Sequence, residues 1–142
     1  MRRAAWRKQG IAVLRIDDVA DEIIRQAVVN EATRLYGTDP ARPYLTGHSM
    51  GGHGTWQVGV TVPGPWAAIA PSAGWYSFTS YGGGMIYKDP SAVERMLLRA
   101  NNPSETATLA RNFLHYGVYI LHGAQDDNVP VAQARSMREL LG

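Results

Sequence analysis

The feature that most constrains this chain is a serine between two glycines, in the run Gly-His-Ser-Met-Gly at positions 47–51. A short apolar run precedes it, and a segment with apolar residues at helical spacing follows it. This order predicts a strand, a sharp turn at Ser49 and a helix that begins near Met50. On such a turn the serine hydroxyl stands clear of the backbone, in a conformation that costs about 1–3 kcal/mol.

The residues around Ser49 suit a nucleophile. Gly47 and Gly51 have no Cβ atom, and we expect side chains at these two positions to collide where strand and helix pack closely. The N–H of Met50 has no partner inside the predicted helix, so it can stabilise a developing oxyanion. A serine between glycines also occurs in ordinary loops, so the interpretation depends on a second motif further along the chain.

Composition favours one globular domain over residues 1–142. The chain is 45% hydrophobic, and no apolar run is long enough to span a membrane. It has no cysteine, which excludes a disulfide framework, a thiol nucleophile and cysteine metal sites. The basic start is not followed by the apolar core of a signal peptide, so the expected location is cytoplasmic by default.

The charge pattern argues against nucleic-acid and metal-dependent functions. The formal net charge is only +2, and four basic residues fall within the first ten positions. The remainder is slightly acidic, so no basic face is predicted for nucleic acid. No pair of histidines has metal-ligand spacing with a carboxylate nearby, and no cofactor is predicted.

Hydrophobic periodicity predicts alternating strands and helices. The predicted strands are residues 11–16, 43–48, 66–70 and 117–121. The predicted helices are residues 19–36 with a cap at Asp17 or Asp18, 50–62, 92–98 after Asp89-Pro90, 106–114 after Ser104, and 131–141 with an apolar stripe of Ala134, Met137, Leu140 and Leu141. Such alternation without an internal repeat indicates an α/β fold with a mainly parallel sheet and helices on both faces.

The segment from Pro71 to Trp75 follows a predicted strand, at the edge where open α/β sheets bind ligands. Trp75 and Tyr76 are therefore candidate substrate-binding residues. The stretch after them is rich in glycine and aromatic residues. It could line a pocket for an acyl or aryl group, or equally form a cluster that pins a long loop.

Two motifs together resemble a known family. They are Tyr-Leu-Thr-Gly-His-Ser-Met-Gly-Gly-His-Gly-Thr-Trp at 44–56 and Ile-Leu-His-Gly-Ala-Gln-Asp-Asp-Asn-Val-Pro at 120–130. They look like the catalytic domain of prolyl-oligopeptidase-type serine peptidases and the related esterases of the α/β-hydrolase superfamily. The resemblance covers most of residues 40–142 and implies a partial α/β-hydrolase fold.

The resemblance also implies site residues and a reaction. Ser49 is the implied nucleophile, Asp126 the implied triad acid, and the Met50 N–H one oxyanion donor. Asp127 lies one residue beyond the motif position, and we expect it to take a turn or capping role. The implied reaction is acyl transfer on a small-molecule ester or a peptide, with a histidine as the base.

The chain departs from the family pattern because no histidine follows Asp126, although the family order is Ser, Asp, His. His48, His53 and His122 are better explained as packing or hydrogen-bonding residues, although a substitute-base role stays open, and His115 is expected at the far end of the sheet. A segment for the second oxyanion donor is not found either.

Two hypotheses explain these departures. In the first, the chain is a piece of a longer hydrolase that lacks the opening strands and the histidine loop. In the second, it is a non-catalytic relative whose cleft binds a ligand or a protein. We favour the first hypothesis because Ser49 and Asp126 both lie in complete motifs.

Overall fold

The computed structural model describes residues 22–81, 87–101 and 105–142. These residues fall into two compact units divided after Pro43, so a single domain over 1–142 stays a prediction. The first unit contains helix α1 (Glu22–Tyr36). Helix α1 ends before Gly37 as predicted. At Gly37 φ is 63°, and the Gly37 N–H donates to the Thr33 carbonyl at 2.9 Å. The strand predicted over 11–16 and the cap at Asp17 or Asp18 lie outside the described residues.

The second unit is a parallel three-stranded sheet in the order β1-β2-β3, with helices between its strands. Its elements are β1 (Tyr44–His48), α2 (Met50–Thr61), β2 (Ala68–Ser72), α3 (Ala92–Asn101), a 3-10 helix (Thr106–His115), β3 (Gly117–Val118) and α4 (Ala132–Leu141). Beyond β3 the pairing continues, because the Leu121 N–H donates to the Pro71 carbonyl at 3.1 Å. The predicted α/β class with a parallel sheet is confirmed.

The core of this unit lies against one face of the sheet. It consists of Trp56 and Val60 from α2, Trp66, Ile69 from β2, Phe113 from the 3-10 helix and Met137 from α4. Since side chains alternate along a strand, the residues between the core-facing ones point to the opposite face. On that face Tyr44, Tyr119 and Leu121 are exposed. Because the three strands are parallel, their carboxyl ends lie at one edge of the sheet, and α2 and α4 contribute side chains to the core on one face.

Two predicted strand starts were early. The strand predicted over 66–70 is Ala68–Ser72, and Trp66 packs in the core before it. The strand predicted from Pro43 begins at Tyr44, whose register partner is Ala68. Pro43 has no N–H to donate to a neighbouring strand, so the pairing of β1 with β2 begins at Tyr44. Both strands therefore start at this first pair, Tyr44 and Ala68.

The helix ends also differ from prediction. Ser91, not Asp89-Pro90, caps α3, because the Glu94 N–H donates to its hydroxyl at 3.3 Å while its own N–H donates to the Glu94 carboxylate at 2.7 Å. In α4 the expected stripe was wrong at Leu140, which is 49% exposed, whereas the polar Gln133 is buried. Gln133 can be buried because its amide N–H donates to the Ser80 carbonyl and its amide oxygen accepts from the Ser80 hydroxyl.

The helix predicted over 106–114 is wound as a 3-10 helix. The Thr108 N–H donates to the Glu105 carbonyl at 3.1 Å, the shorter reach typical of this winding. Both ends are tied to other elements: the Thr106 hydroxyl donates to the Tyr76 carbonyl, and the Asn112 amide to the Val60 carbonyl. A 3-10 helix rises more per residue than an α-helix, so this segment spans a longer distance between its two anchors than an α-helix of the same length would.

Candidate active site

Ser49 lies at the turn between β1 and α2 in an unusual backbone conformation. Its φ is 57° and its ψ is −116°, a combination that non-glycine residues rarely adopt. The turn is fixed on both sides, because the Ser49 N–H donates to the Ser72 carbonyl at 2.9 Å and the Ser49 carbonyl accepts from the His53 N–H at 3.0 Å. Its side chain makes no capping hydrogen bond to α2. The strand, turn and helix predicted around Ser49 are therefore observed, with the hydroxyl free of the helix.

Glycine contacts explain how this strained turn persists. A Cβ atom on Gly47 would collide with the Gly51 carbonyl, and one on Gly52 would collide with the Ser72 carbonyl and lie 2.9 Å from the Gly74 Cα. Strand β1, helix α2 and the segment after β2 thus meet backbone to backbone. These contacts and the two backbone hydrogen bonds of Ser49 hold the residue in its strained conformation, and their stabilisation offsets the strain energy.

The prediction that a side chain at Gly51 would collide was wrong. A Cβ atom built on Gly51 has no neighbour within 4 Å, whereas Gly52 is tightly enclosed. Successive residues of an α-helix point about 100° apart, so only one of two adjacent glycines can face the sheet. Sequence reasoning expected close packing of the α2 glycines but could not single out Gly52, since the facing position depends on the rotation of α2 about its axis, and it missed Gly74.

Met50 is the first residue of α2, and its side chain is exposed. Its N–H has no acceptor within the helix. Over the ranges that the structure describes, no other backbone carbonyl accepts from it. This donor, next to the Ser49 hydroxyl, is available to an anionic oxygen.

Asp126 lies in the loop that follows the Leu121 pairing, and its carboxylate organises this loop. One oxygen, Oδ1, accepts hydrogen bonds from the N–H groups of Asn128 at 3.0 Å and Val129 at 2.9 Å. The His122 ring closes the loop, because its Nε2–H donates to the Val129 carbonyl at 2.7 Å. Asp127 is exposed and accepts no hydrogen bond from the described residues.

The environment of Asp126 favours its ionised form. The hydrogen bond from the Val129 N–H lowers the pKa of the Asp126 carboxyl most, followed by that from Asn128. Positive charge on His122 or His48 lowers the same pKa further. The second oxygen, Oδ2, lies 3.5 Å from His122 Nε2, whose proton is already given to Val129. Oδ2 can therefore accept a hydrogen bond from a further donor.

An open cleft of about 740 Å³ lies at the carboxyl ends of the strands. His48, Ser72, Leu121 and Asp126 are among its lining residues. Ser49 adjoins the cleft, because its backbone N–H donates a hydrogen bond to the carbonyl of Ser72, one of the lining residues. Strand β2 separates β1 from β3, so the ends that precede Ser49 and the acid loop are about 10 Å apart at ordinary strand spacing. A hydrogen-bonded relay between Ser49 and Asp126 therefore needs a side chain between them.

The four histidines all have other positions or partners. His53 is buried, its Nδ1–H donates to the Trp75 carbonyl at 2.9 Å, and burial lowers its pKa. The His48 ring bonds to Ser72 and the His122 ring to Val129. His115 ends the 3-10 helix just before β3, so it lies at the amino ends of the strands. None of these rings is hydrogen bonded to Ser49.

Trp75 and Tyr76, the candidate substrate-binding residues, lie outside the lining of this cleft. Trp75 is only 8% exposed, because its ring is stacked between His53 at 4.7 Å and Tyr81 at 4.6 Å. Tyr76 packs against the hydrophobic core. Phe78, on the same loop, is 51% exposed. These contacts favour the loop-pinning alternative for Trp75, and substrate binding by Trp75 and Tyr76 stays a prediction.

Two further observations bear on the class of site. Among the residues with described positions, no group of three or more histidine, aspartate or glutamate side chains could hold a metal ion. No helix in the same part of the chain is long and apolar enough to cross a membrane.

By sequence, the chain resembles part of a much longer fungal protein. No family model matches the chain. An uncharacterised secreted protein of Arthroderma benhamiae is 38% identical over 98 residues, which are 68% of this chain and 10% of that protein. The chain therefore spans only a small part of this relative.

Two solved structures resemble the chain over most of its length. One is a thermostable esterase, with a TM-score of 0.57 and 22% identity, over 84% of this chain and 24% of that one. The other is an acylaminoacyl peptidase in complex with Z-Gly-Gly-Phe-chloromethyl ketone, with a TM-score of 0.61 and 23% identity, over 80% of this chain and 19% of that one. The chain thus shares an α/β fold with part of each of these two proteins, and it spans about a quarter or less of each.

Proposed function

We propose that this chain carries the nucleophile and the acid of a serine hydrolase that cleaves ester or peptide bonds by acyl transfer. The observation that carries the proposal is the Ser49 turn: a non-glycine residue at φ 57°, held between β1 and α2 beside the Met50 N–H. Backbone strain of this kind concentrates at functional sites. The motif resemblance supports a prolyl-oligopeptidase-type peptidase or a related esterase.

In the proposed reaction the Ser49 hydroxyl attacks the carbonyl carbon of the substrate. A histidine accepts the hydroxyl proton, and Asp126 orients this histidine and stabilises its protonated form. The Met50 N–H stabilises the oxyanion, and loss of one such donor typically costs about 10²–10³ in rate.

The geometry of the acid loop supports Asp126 for this role. Two backbone N–H groups hold Oδ1 and keep the carboxylate ionised, while Oδ2 is available to the histidine. Asp127 has no such anchoring, so it would be a poorly positioned acid.

We propose that the base is a histidine from outside these 142 residues. The four histidines of the chain are bonded elsewhere or lie at the opposite ends of the strands. The similar proteins are several times longer than the region they share with this chain, which supports a base from another segment. The description of the fungal relative as secreted favours a secreted protein over the cytoplasmic default.

A second candidate is a non-catalytic binding module. The lack of a base at Ser49 among the described histidines favours it, because serine at neutral pH is a poor nucleophile without one. In that case the cleft beside Asp126 would bind a ligand or a protein without turnover.

Hydrolysis of p-nitrophenyl acetate separates the two candidates. We expect residues 1–142 to turn over barely above background, since none of the histidine rings is hydrogen bonded to Ser49 and no segment for the second oxyanion donor is recognised in the sequence. A form extended along the reading frame through the next histidine should show burst kinetics that Ser49→Ala abolishes. If the extended form binds small esters but shows no burst, the binding module is correct. If residues 1–142 alone turn over at an ordinary enzymatic rate that His48→Ala or His53→Ala removes, the proposal of an external base is wrong.

A further inference from the structure

Ser72 and His48 form a pair that the proposed mechanism does not use. They are register partners in the β1–β2 pairing, so their side chains lie side by side on the same face of the sheet. His48 Nδ1 lies 3.1 Å from Ser72 Oγ. Both residues line the open cleft, where His48 is exposed and Ser72 half-buried.

The third group at this point is Asp126. Ser72 also pairs with Leu121, and the acid loop begins at the next residue, so Asp126 lines the cleft on the opposite side of Ser72 from His48. Positive charge on His48 favours the ionised Asp126 carboxylate. The hydroxyl and the imidazole are in hydrogen-bond contact at two neighbouring strand ends, and the carboxylate lines the same cleft beyond the third.

We propose that Ser72 is a second acyl acceptor, with His48 as its base. The substrates would be activated esters of small acyl groups, since the cleft is open and admits them from solvent. A serine hydroxyl in hydrogen-bond contact with a general base is in the arrangement that activates it as a nucleophile. Unlike the Ser49 reaction, this one needs no residue outside the chain.

With p-nitrophenyl acetate the step balances as follows. A bond forms between Ser72 Oγ and the acetyl carbon, the bond from that carbon to the p-nitrophenoxy oxygen breaks, and the hydroxyl proton passes to His48 Nδ1. The leaving p-nitrophenolate departs into solvent, and His48 then releases its proton to solvent. The products are acetyl-Ser72 and p-nitrophenolate plus one proton. Water can later hydrolyse acetyl-Ser72 to acetate and the free hydroxyl.

Acetyl-Ser72 should accumulate because p-nitrophenolate is a much better leaving group than a serine alkoxide. Acylation is then faster than hydrolysis of the product. The reaction is a slow modification and not an ordinary turnover, since no oxyanion donor is assigned to it. It is therefore compatible with near-background hydrolysis by residues 1–142.

The test is acetylation of residues 1–142 with p-nitrophenyl acetate, followed by peptide mass spectrometry. We expect acetyl groups on Ser72 in excess over Ser136, an exposed serine of α4 that serves as the internal control. His48→Gln should lower the rate of Ser72 acetylation by about 100-fold, because positioned general bases contribute typically 10²–10⁴. Glu139→Gln, which changes an exposed carboxylate of α4 outside the lining of the cleft, should leave the rate unchanged. Since His48 is exposed, the glutamine variant should keep the wild-type urea midpoint.

Three results would overturn the inference. They are acetylation of Ser72 no faster than that of Ser136, equal acetylation of Ser72 in wild type and His48→Gln, and acetylation confined to Ser49. The mapped position of the label also separates this inference from the proposed function. An inert Ser72 together with a reactive Ser49 in an extended form would refute only the second acyl acceptor.

Discussion

The Ser49 turn and the Asp126 loop are held together by different forces. The turn is maintained by close backbone contacts at Gly47 and Gly52, and no side-chain capping bond supports it. The loop is maintained by side chains that bond to the backbone, from Asp126 to two N–H groups and from His122 to one carbonyl. The turn depends on glycines that have no Cβ atom, and the loop depends on polar side chains and on the charge of Asp126.

This difference indicates how each region can be damaged. An added methyl group should disrupt the turn and leave the loop intact, whereas removal of a charge should weaken the loop and leave the turn intact. The turn should be insensitive to pH, because no titratable group maintains it. The loop should weaken in acid, because protonated Asp126 is a poorer acceptor.

The largest expected effect is the loss of activity when Asp126 is changed in an active, extended form of the chain. Asp126→Asn should lower kcat by about 10⁴, because the amide cannot stabilise the protonated histidine and favours the wrong tautomer. Asp127→Asn is the matched control, since it removes the same charge from the adjacent residue. Steady-state kinetics on both variants measures the difference, and a larger loss for Asp127→Asn would overturn the assignment of the acid.

The next largest effect is on stability at the turn. Gly52→Ala should lower the free energy of unfolding by about 1–3 kcal/mol, because its Cβ would meet the Ser72 carbonyl and Gly74. Gly51→Ala adds the same methyl group into open space, and alanine favours a helix by up to about 1 kcal/mol over glycine. Urea unfolding of both variants measures the contrast. Equal destabilisation by the two substitutions would show that the turn does not depend on this backbone contact.

The smallest effect is the pH dependence of the acid loop. Asp126 has an ordinary pKa of 3.8 that the fold lowers, so its carboxylate stabilises the fold fully above that value. This stabilisation decreases as the pH falls below 3.8 and is lost once the pH is below the folded pKa. The stability difference between wild type and Asp126→Asn should therefore shrink between about pH 6 and pH 2.5. A difference that stays constant over this range, measured by urea unfolding, would contradict the role of the charge.

Local sequence signals predicted the turn and the loop, because each is a short motif with its own backbone requirements. Positions that depend on tertiary structure were not predictable in the same way. Gly52 faces the sheet, and Gly51 does not, because of the rotation of α2 about its axis. The contact between His48 and Ser72 depends on the register of β1 against β2.

Packing also decided which aromatic and apolar residues are buried. Trp75 follows β2 in an expected binding position, yet it is enclosed because His53 and Tyr81 stack on its two sides. Leu140 fits the helical spacing of α4, yet it is 49% exposed, whereas Gln133 is buried because its amide donates to the Ser80 carbonyl. Composition and periodicity carry no information about such pairings.

The most direct test of the central claim is covalent labelling by a fluorophosphonate probe. In a form extended through the next histidine, the account predicts rapid labelling of Ser49, with any labelling of Ser72 much slower, and no labelling of position 49 in Ser49→Ala. Peptide mapping identifies the labelled residue in both proteins. Persistent labelling of the alanine variant at another serine of the cleft, at the wild-type rate, would remove Ser49 from the role of nucleophile.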